Sequence, residues 1–177
     1  MVVAVAALTA VGFFTDRVSQ ALEREAHQLL GADLLLISDH PLPAPVLQEA
    51  GERGLRIAET RSFPSMVQFA ERAQLVEVKA VSSSYPLRGN LRTAPALNVA
   101  DTQALGVPAP GEIWGDERLT SALALNSGDF LAIGRAKLKM AAVLTLEPDR
   151  GVNFFGVAPR LLMNVADLEA TGLVQVG

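Results

Sequence analysis

The side chains whose types and spacing could do chemistry are concentrated in Glu147-Pro148-Asp149-Arg150-Gly151, where two carboxylates stand two residues apart. Such a pair could act as general acid and general base. The same run is also strong turn chemistry, since Pro148 fixes its own φ, Asp149 can bond its own backbone, and Arg150 is at hand to neutralise either acid. The turn reading is preferred. Ser82, Ser83 and Ser84 are the next candidates, but a serine nucleophile needs a base beside it. The chain's two histidines, His27 in a charged helical run and His40 in a Pro-rich turn, are remote in sequence and read as solvated surface residues. With no cysteine, disulfides, thiolate metal sites and a thiol nucleophile are removed together. No GxxxxGK[ST], GxSxG or HExxH occurs, so the chain is expected to hydrolyse no ATP itself, to hold no metal or cofactor and to have no catalytic residue. Phe154 and Phe155 are of another kind. Two adjacent aromatics in a polar loop cannot both point into a one-sided core, so they either pack under the loop or form an apolar contact for a partner or a lipid-like substrate.

The elements that carry these residues begin with a segment unlike globular sequence. Met1 to Thr15 contains no charged residue, the first being Asp16. Fifteen residues fall short of the roughly 20 that cross a bilayer. There is neither a basic n-region nor a small-residue cleavage site, so the stretch is expected to be the end of a transmembrane helix rather than a signal peptide. Val11, Phe14, Val18, Leu22, Ala26, Leu29 and Leu30 continue at helical spacing, and Gly31 can take the positive φ of a helix C-cap. Residues 1–31 thus predict a continuous rod leaving the membrane.

Beyond it, Ala32 to Ser38 is a short apolar run that predicts a buried central strand, and Pro43 to Arg53 predicts a helix. Leu55 to Phe69 and Ala73 to Val81 alternate and predict a long hairpin turning near Glu71. Ser82 to Pro110, rich in proline and small residues, reads as a boundary between two lobes. Asp116 is placed to cap a short helix bearing Leu119, Ala122 and Leu123. Phe130 to Ile133 and Lys137 to Leu146 predict a second hairpin across Gly134-Arg135, with a strand at Arg160 to Asn164 and a short helix at Val165 to Ala170 after it. The expected fold class is α+β: a stalk helix followed by two small sheet-plus-helix subdomains.

Bulk composition agrees with one or two small lobes. The 177 residues are 50% hydrophobic and 19% charged, with a mean hydropathy of +0.29 and only 5% aromatics. A formal charge of −4 with no basic stripe withholds the electrostatic attraction that nucleic-acid binding requires.

Several blocks of this sequence resemble a known family. They are FFTDRV (Phe13 to Val18), GADLLLIS (Gly31 to Ser38), QLVEVKAVSSSYPLRGNL (Gln74 to Leu91), WGDERLTSALALNSGD (Trp114 to Asp129) and EPDRGVNFFGVAPRLLMNVADLEATGLVQ (Glu147 to Gln175), of which the last is the most specific. Together they resemble the first periplasmic domain of YbbP-like permeases in the MacB, LolC and FtsX superfamily of ABC transporters. That resemblance implies a domain inserted between two transmembrane helices and built of Porter-like and Sabre-like parts. Mapped here, residues 1–31 would be the end of the membrane helix and the stalk, 32–91 with 172–177 the Porter-like part, and 92–171 the Sabre-like part. It further implies an inner-membrane location with the domain in the periplasm. A cytoplasmic ATP-binding subunit would be the partner, its motion passed through the stalk to act on hydrophobic or lipid-like compounds. A periplasmic esterase or other hydrolase is a possible further partner, and the alternative role is an FtsX-like module that recruits and activates such a hydrolase. The family continues past Gly177 into a further strand, so an edge is left to pair and the isolated fragment is expected to self-associate.

Overall fold

The structure, a computed structural model, describes residues 12–18, 30–150 and 158–173. Of the expected rod, residues 12–18 are helical and exposed and Leu30 is helical; residues 1–11 and 19–29 lie outside the described residues. Among the described residues no helix is long and apolar enough to cross a membrane. Gly31 has the positive φ expected of it, +65°.

From Thr60 onward the chain is organised by strand pairing. β1 (Thr60–Phe69) and β2 (Arg72–Val81) form the anticipated hairpin, with Phe69 opposite Arg72 and Thr60 opposite Val81. Two short strands follow in the Pro-rich stretch, β3 (Arg92–Ala94) and β4 (Thr102–Gln103). β5 (Glu112–Asp116) leads into helix α2 (Glu117–Leu123). A second hairpin, β6 (Phe130–Ile133) and β7 (Ala136–Leu146), and the strand β8 (Arg160–Asn164) complete the set. Between Gly31 and β1 the only helix is α1 (Ala44–Glu52), which has Pro43 at its N-cap and buries no residue. After β8, a 3₁₀ turn (Val165–Asp167) runs into α3 (Leu168–Thr171), ended by Gly172 at φ +65°.

The eight strands of the described residues belong to one sheet, in the order β4-β3-β7-β5-β8-β2-β1-β6. β6 also pairs with β7, so six strands (β7, β5, β8, β2, β1 and β6) close into a ring, and β3 and β4 extend from the outer part of β7. Ring closure removes the exposed edges that an open six-stranded sheet would have. Inside it lie Val67, Val76, Val78, Ile113, Leu131, Ile133, Leu138, Met140, Leu161 and Met163, with Leu119 and Leu123 of α2 packed against them. The parallel β5–β7 pair keeps its inward faces aligned through a bulge. Ile113 stands opposite Met140, but Trp114 stands opposite Ala142, so Ala141 is the extra residue. Without that insertion the alternation would turn Val143 outward.

Two expectations are corrected. Separate sheets for residues 32–91 and 92–171 are not what forms, because β2 continues into parallel pairing with β8, from Glu77–Arg160 to Val81–Asn164. Strands from both sides of residue 91 therefore share one sheet. The run Ala32 to Ser38 is not a central strand either; no strand covers it, and Leu34, Leu35, Leu36 and Ile37 are all exposed. A strand apolar on both faces needs a neighbour at each edge and a layer on each face. Among the described residues it has neither strand neighbour.

Candidate functional site

Alternation along β2 aims Val76, Val78 and Ala80 into the ring, leaving Lys79 and Val81 on its outer face. That face is not open to water here. The segment following β2 folds back over it, bringing Tyr85 and Leu91 against Val81, Leu144 and Leu162 in a second, smaller core with Trp114 packed at its side. Lys79 is covered with them, and its side chain is only 6% exposed.

A buried ammonium needs counter-charge, and the turn after β7 supplies it. Lys79 Nζ donates to Glu147 Oε1 at 2.7 Å and to both carboxylate oxygens of Asp149 at 2.8 and 2.7 Å. It also lies 2.9 Å from the Tyr85 hydroxyl, which itself donates to Asp149 Oδ1 at 2.5 Å. Burial, followed by the charges of Glu147 and Asp149, pushes the Tyr85 phenol far above its ordinary pKa. Arg160, at the start of β8, completes the group from the other side. Its guanidinium stands 3.1 Å from Glu147 Oε2 and 3.0 Å from Glu77 Oε1. Those approaches are off the N–H axis, so the guanidinium attracts the two carboxylates through charge without a well-aligned hydrogen bond from Nε or Nη1. Among the described residues three acids, of which only Glu147 is fully buried, thus face two buried bases.

The cluster borders the end of the N-terminal segment. A β-carbon placed at Gly31 would stand 3.4 Å from Asp149 Cβ, and the Gly31 carbonyl accepts from the Arg88 backbone N–H at 2.8 Å. Arg88 in turn grips Asp33 with two hydrogen bonds of 2.8 and 2.9 Å.

A second charge group lies next to it in sequence. Asp116, buried at the end of β5, caps α2 by accepting from the Leu119 N–H at 2.8 Å, and it takes Arg150 on its other oxygen. Arg118 stands 3.5 Å from the same carboxylate. Glu147 and Asp149 are therefore turn residues as expected, but the base that neutralises them is Lys79, and Arg150 is directed to Asp116 instead.

The other candidates separate. Ser82 Oγ accepts from the Glu59 N–H at 2.9 Å and Ser84 Oγ donates to the Ile57 carbonyl at 2.6 Å, so both fasten residues 57–59 to the segment after β2. His40 is exposed and bonded to the neighbouring Asp39. His27, Phe154 and Phe155 lie outside the described residues. Lys79, Tyr85 and Arg160 were missed by sequence reasoning. The available signal was a lysine in the most apolar part of an alternating strand, LVEVKAV, but its burial depends on cover from segments remote in sequence.

Taken together, this is a closed sheet whose buried charges are engaged with one another, joined to an N-terminal stretch free of charge. The chain is similar to an ABC transporter permease. It is 37% identical over 175 residues, 98% of its length, to the uncharacterized ABC transporter permease YbbP of Escherichia coli (strain K12), and it spans 21% of the length of that protein. Among solved structures, the periplasmic region of MacB from Actinobacillus actinomycetemcomitans matches 72% of the chain and 56% of its own at a TM-score of 0.45 and 9% identity. No protein-family model matches the chain.

Proposed function

We propose that the chain is the extracytoplasmic domain of an ABC transporter permease, and that it receives ATP-driven motion from a cytoplasmic subunit and applies it to a hydrophobic or lipid-like substrate. The observation that carries this reading is the 37% identity to YbbP across 98% of the chain. The uncharged stretch from Met1 to Thr15 supports a bilayer on the N-terminal side. No catalytic role is assigned to the domain. Because β1 and β2 share the closed sheet, we place the division between Porter-like and Sabre-like parts near Thr60 rather than at residue 91, with residues 32–59 in the first part and 60–171 in the second. Phe154 and Phe155 are proposed as the apolar contact for substrate or partner.

Purification of the full-length protein from membranes tests the reading. An ATP-binding subunit that co-purifies, with hydrolysis that rises in the assembled complex, is the expected result; a full-length protein recovered without any ATPase would contradict it. For the contact, Phe154→Ala with Phe155→Ala should leave assembly intact and lower substrate flux. Wild-type flux would remove these residues from the proposal.

A further inference from the structure

We infer that the buried Lys79 cluster is a clasp coupling the end of the N-terminal segment at Gly31 to the β2–β8 side of the sheet, with Asp149 as its positioning residue. This rests on the reading of the chain as a domain that receives motion through that segment. Gly31 is bounded on two sides: the Arg88 N–H donates to its carbonyl at 2.8 Å, and Asp149 fills the space beside it, where a β-carbon at Gly31 would come within 3.4 Å of Asp149 Cβ. Both neighbours lead to the same place. Arg88 belongs to the segment that carries Tyr85, Tyr85 donates to Asp149, and Asp149 is fixed by two contacts from Lys79 of β2. Glu147 then extends the chain of contacts to Arg160 of β8 and through it to Glu77. The loop from Gly31 through Asp149, Tyr85 and Arg88 back to Gly31 is therefore closed.

Closure and burial make the link stiff. Among charges largely withdrawn from water, attraction rises steeply as they approach, and little water is at hand to replace a contact that lengthens. A displacement of Gly31 toward Asp149 must then either move Asp149 and Lys79 with it or break their largely buried ion pair. Breaking it is the costly alternative. Motion at Gly31 is accordingly delivered to β2 and β8 instead of being absorbed at the junction.

The test uses the chain's only tyrosine as reporter, since Tyr85 sits inside the clasp. Gly31→Leu would press a side chain toward Asp149, whereas Gly54→Leu imposes a similar left-handed strain, φ +71° against +65°, with nothing within 4 Å. The expected result is a shifted Tyr85 near-ultraviolet band in Gly31→Leu and an unchanged one in Gly54→Leu. A second, gentler variant, Asp149→Asn, should accelerate hydrogen exchange of the Arg88 amide by about tenfold or more while the centre of the β1–β2 hairpin keeps its protection. An unmoved tyrosine band in Gly31→Leu, or uniform acceleration across the sheet in Asp149→Asn, would overturn the clasp. Both measurements are made without membrane or nucleotide. A failed clasp beside a retained ATPase partner would therefore refute the coupling alone, and an intact clasp in a protein with no ATPase partner would refute the permease reading alone.

Discussion

Leu161, Leu162 and Met163 are fully buried, whereas Leu34, Leu35, Leu36 and Ile37, an equally apolar run, stand open to solvent, Leu34 at 82% and Ile37 at 79% exposure. Both runs follow a charged residue, Arg160 in one case and Asp33 in the other. What differs is their neighbours. β8 has β2 on one edge and β5 on the other, the ring core on one face and the Tyr85–Leu91 cover on the other. Residues 34–37 have no paired strand among the described residues. Hydropathy therefore states a demand for burial, and topology decides whether the demand is met. The same contrast holds for charge, because Lys79 is enclosed with its counter-ions while Asp33 and Arg88 meet half exposed at the surface.

The largest expected effect comes from breaking the enclosed side of this comparison. Lys79→Met leaves the buried Glu147 beside a largely covered Asp149 with no lysine between them and should cost about 3–5 kcal/mol, measured as a lower urea midpoint. A loss below about 1 kcal/mol would mean that the cluster is open to water. Next come the two apolar runs. Leu161→Ala should cost about 2–5 kcal/mol by opening a cavity in the ring, and Leu34→Ala in the same chain should stay within about 0.5 kcal/mol. Equal losses would show that residues 34–37 are packed after all.

The smallest effect sharpens the comparison at high pH. With its pKa raised by burial and two carboxylates, Tyr85 keeps its proton in the folded chain while the unfolded chain releases one near pH 10. Stability from this source is fully present below pH 10 and falls above it, by at most about 1.4 kcal/mol per pH unit. Absorbance near the tyrosinate band reads Tyr85 alone, as there is no other tyrosine. No tyrosinate should appear until the chain unfolds, and an ordinary titration near pH 10 in the folded chain would show the phenol to be solvated.

Local patterns made much of this fold legible. β6 and β8 begin and end where alternation and turn residues place them, the β1–β2 hairpin turns at Ala70-Glu71, and Asp116 caps α2 as its position before Leu119 suggests. The pairing of distant strands was not legible. Nothing in LVEVKAV announces that β8 will lie parallel beside it, so one closed sheet was read as two. The site was missed for the same reason. Glu147 and Asp149 were visible as acids in a turn, but their partner Lys79 lies 68 and 70 residues away. Only the fold brings a lysine from an alternating strand under the cover of Tyr85.

The central claim, that this domain works on the far side of the membrane from the ATPase, can be tested by topology. The chain has no cysteine of its own, and Leu105 is fully exposed at 104%. A Leu105→Cys substitution in the full-length protein, with any other cysteines replaced, can be probed with a membrane-impermeant maleimide in spheroplasts. Labelling of intact spheroplasts is predicted; labelling only after the inner membrane is lysed would contradict the account.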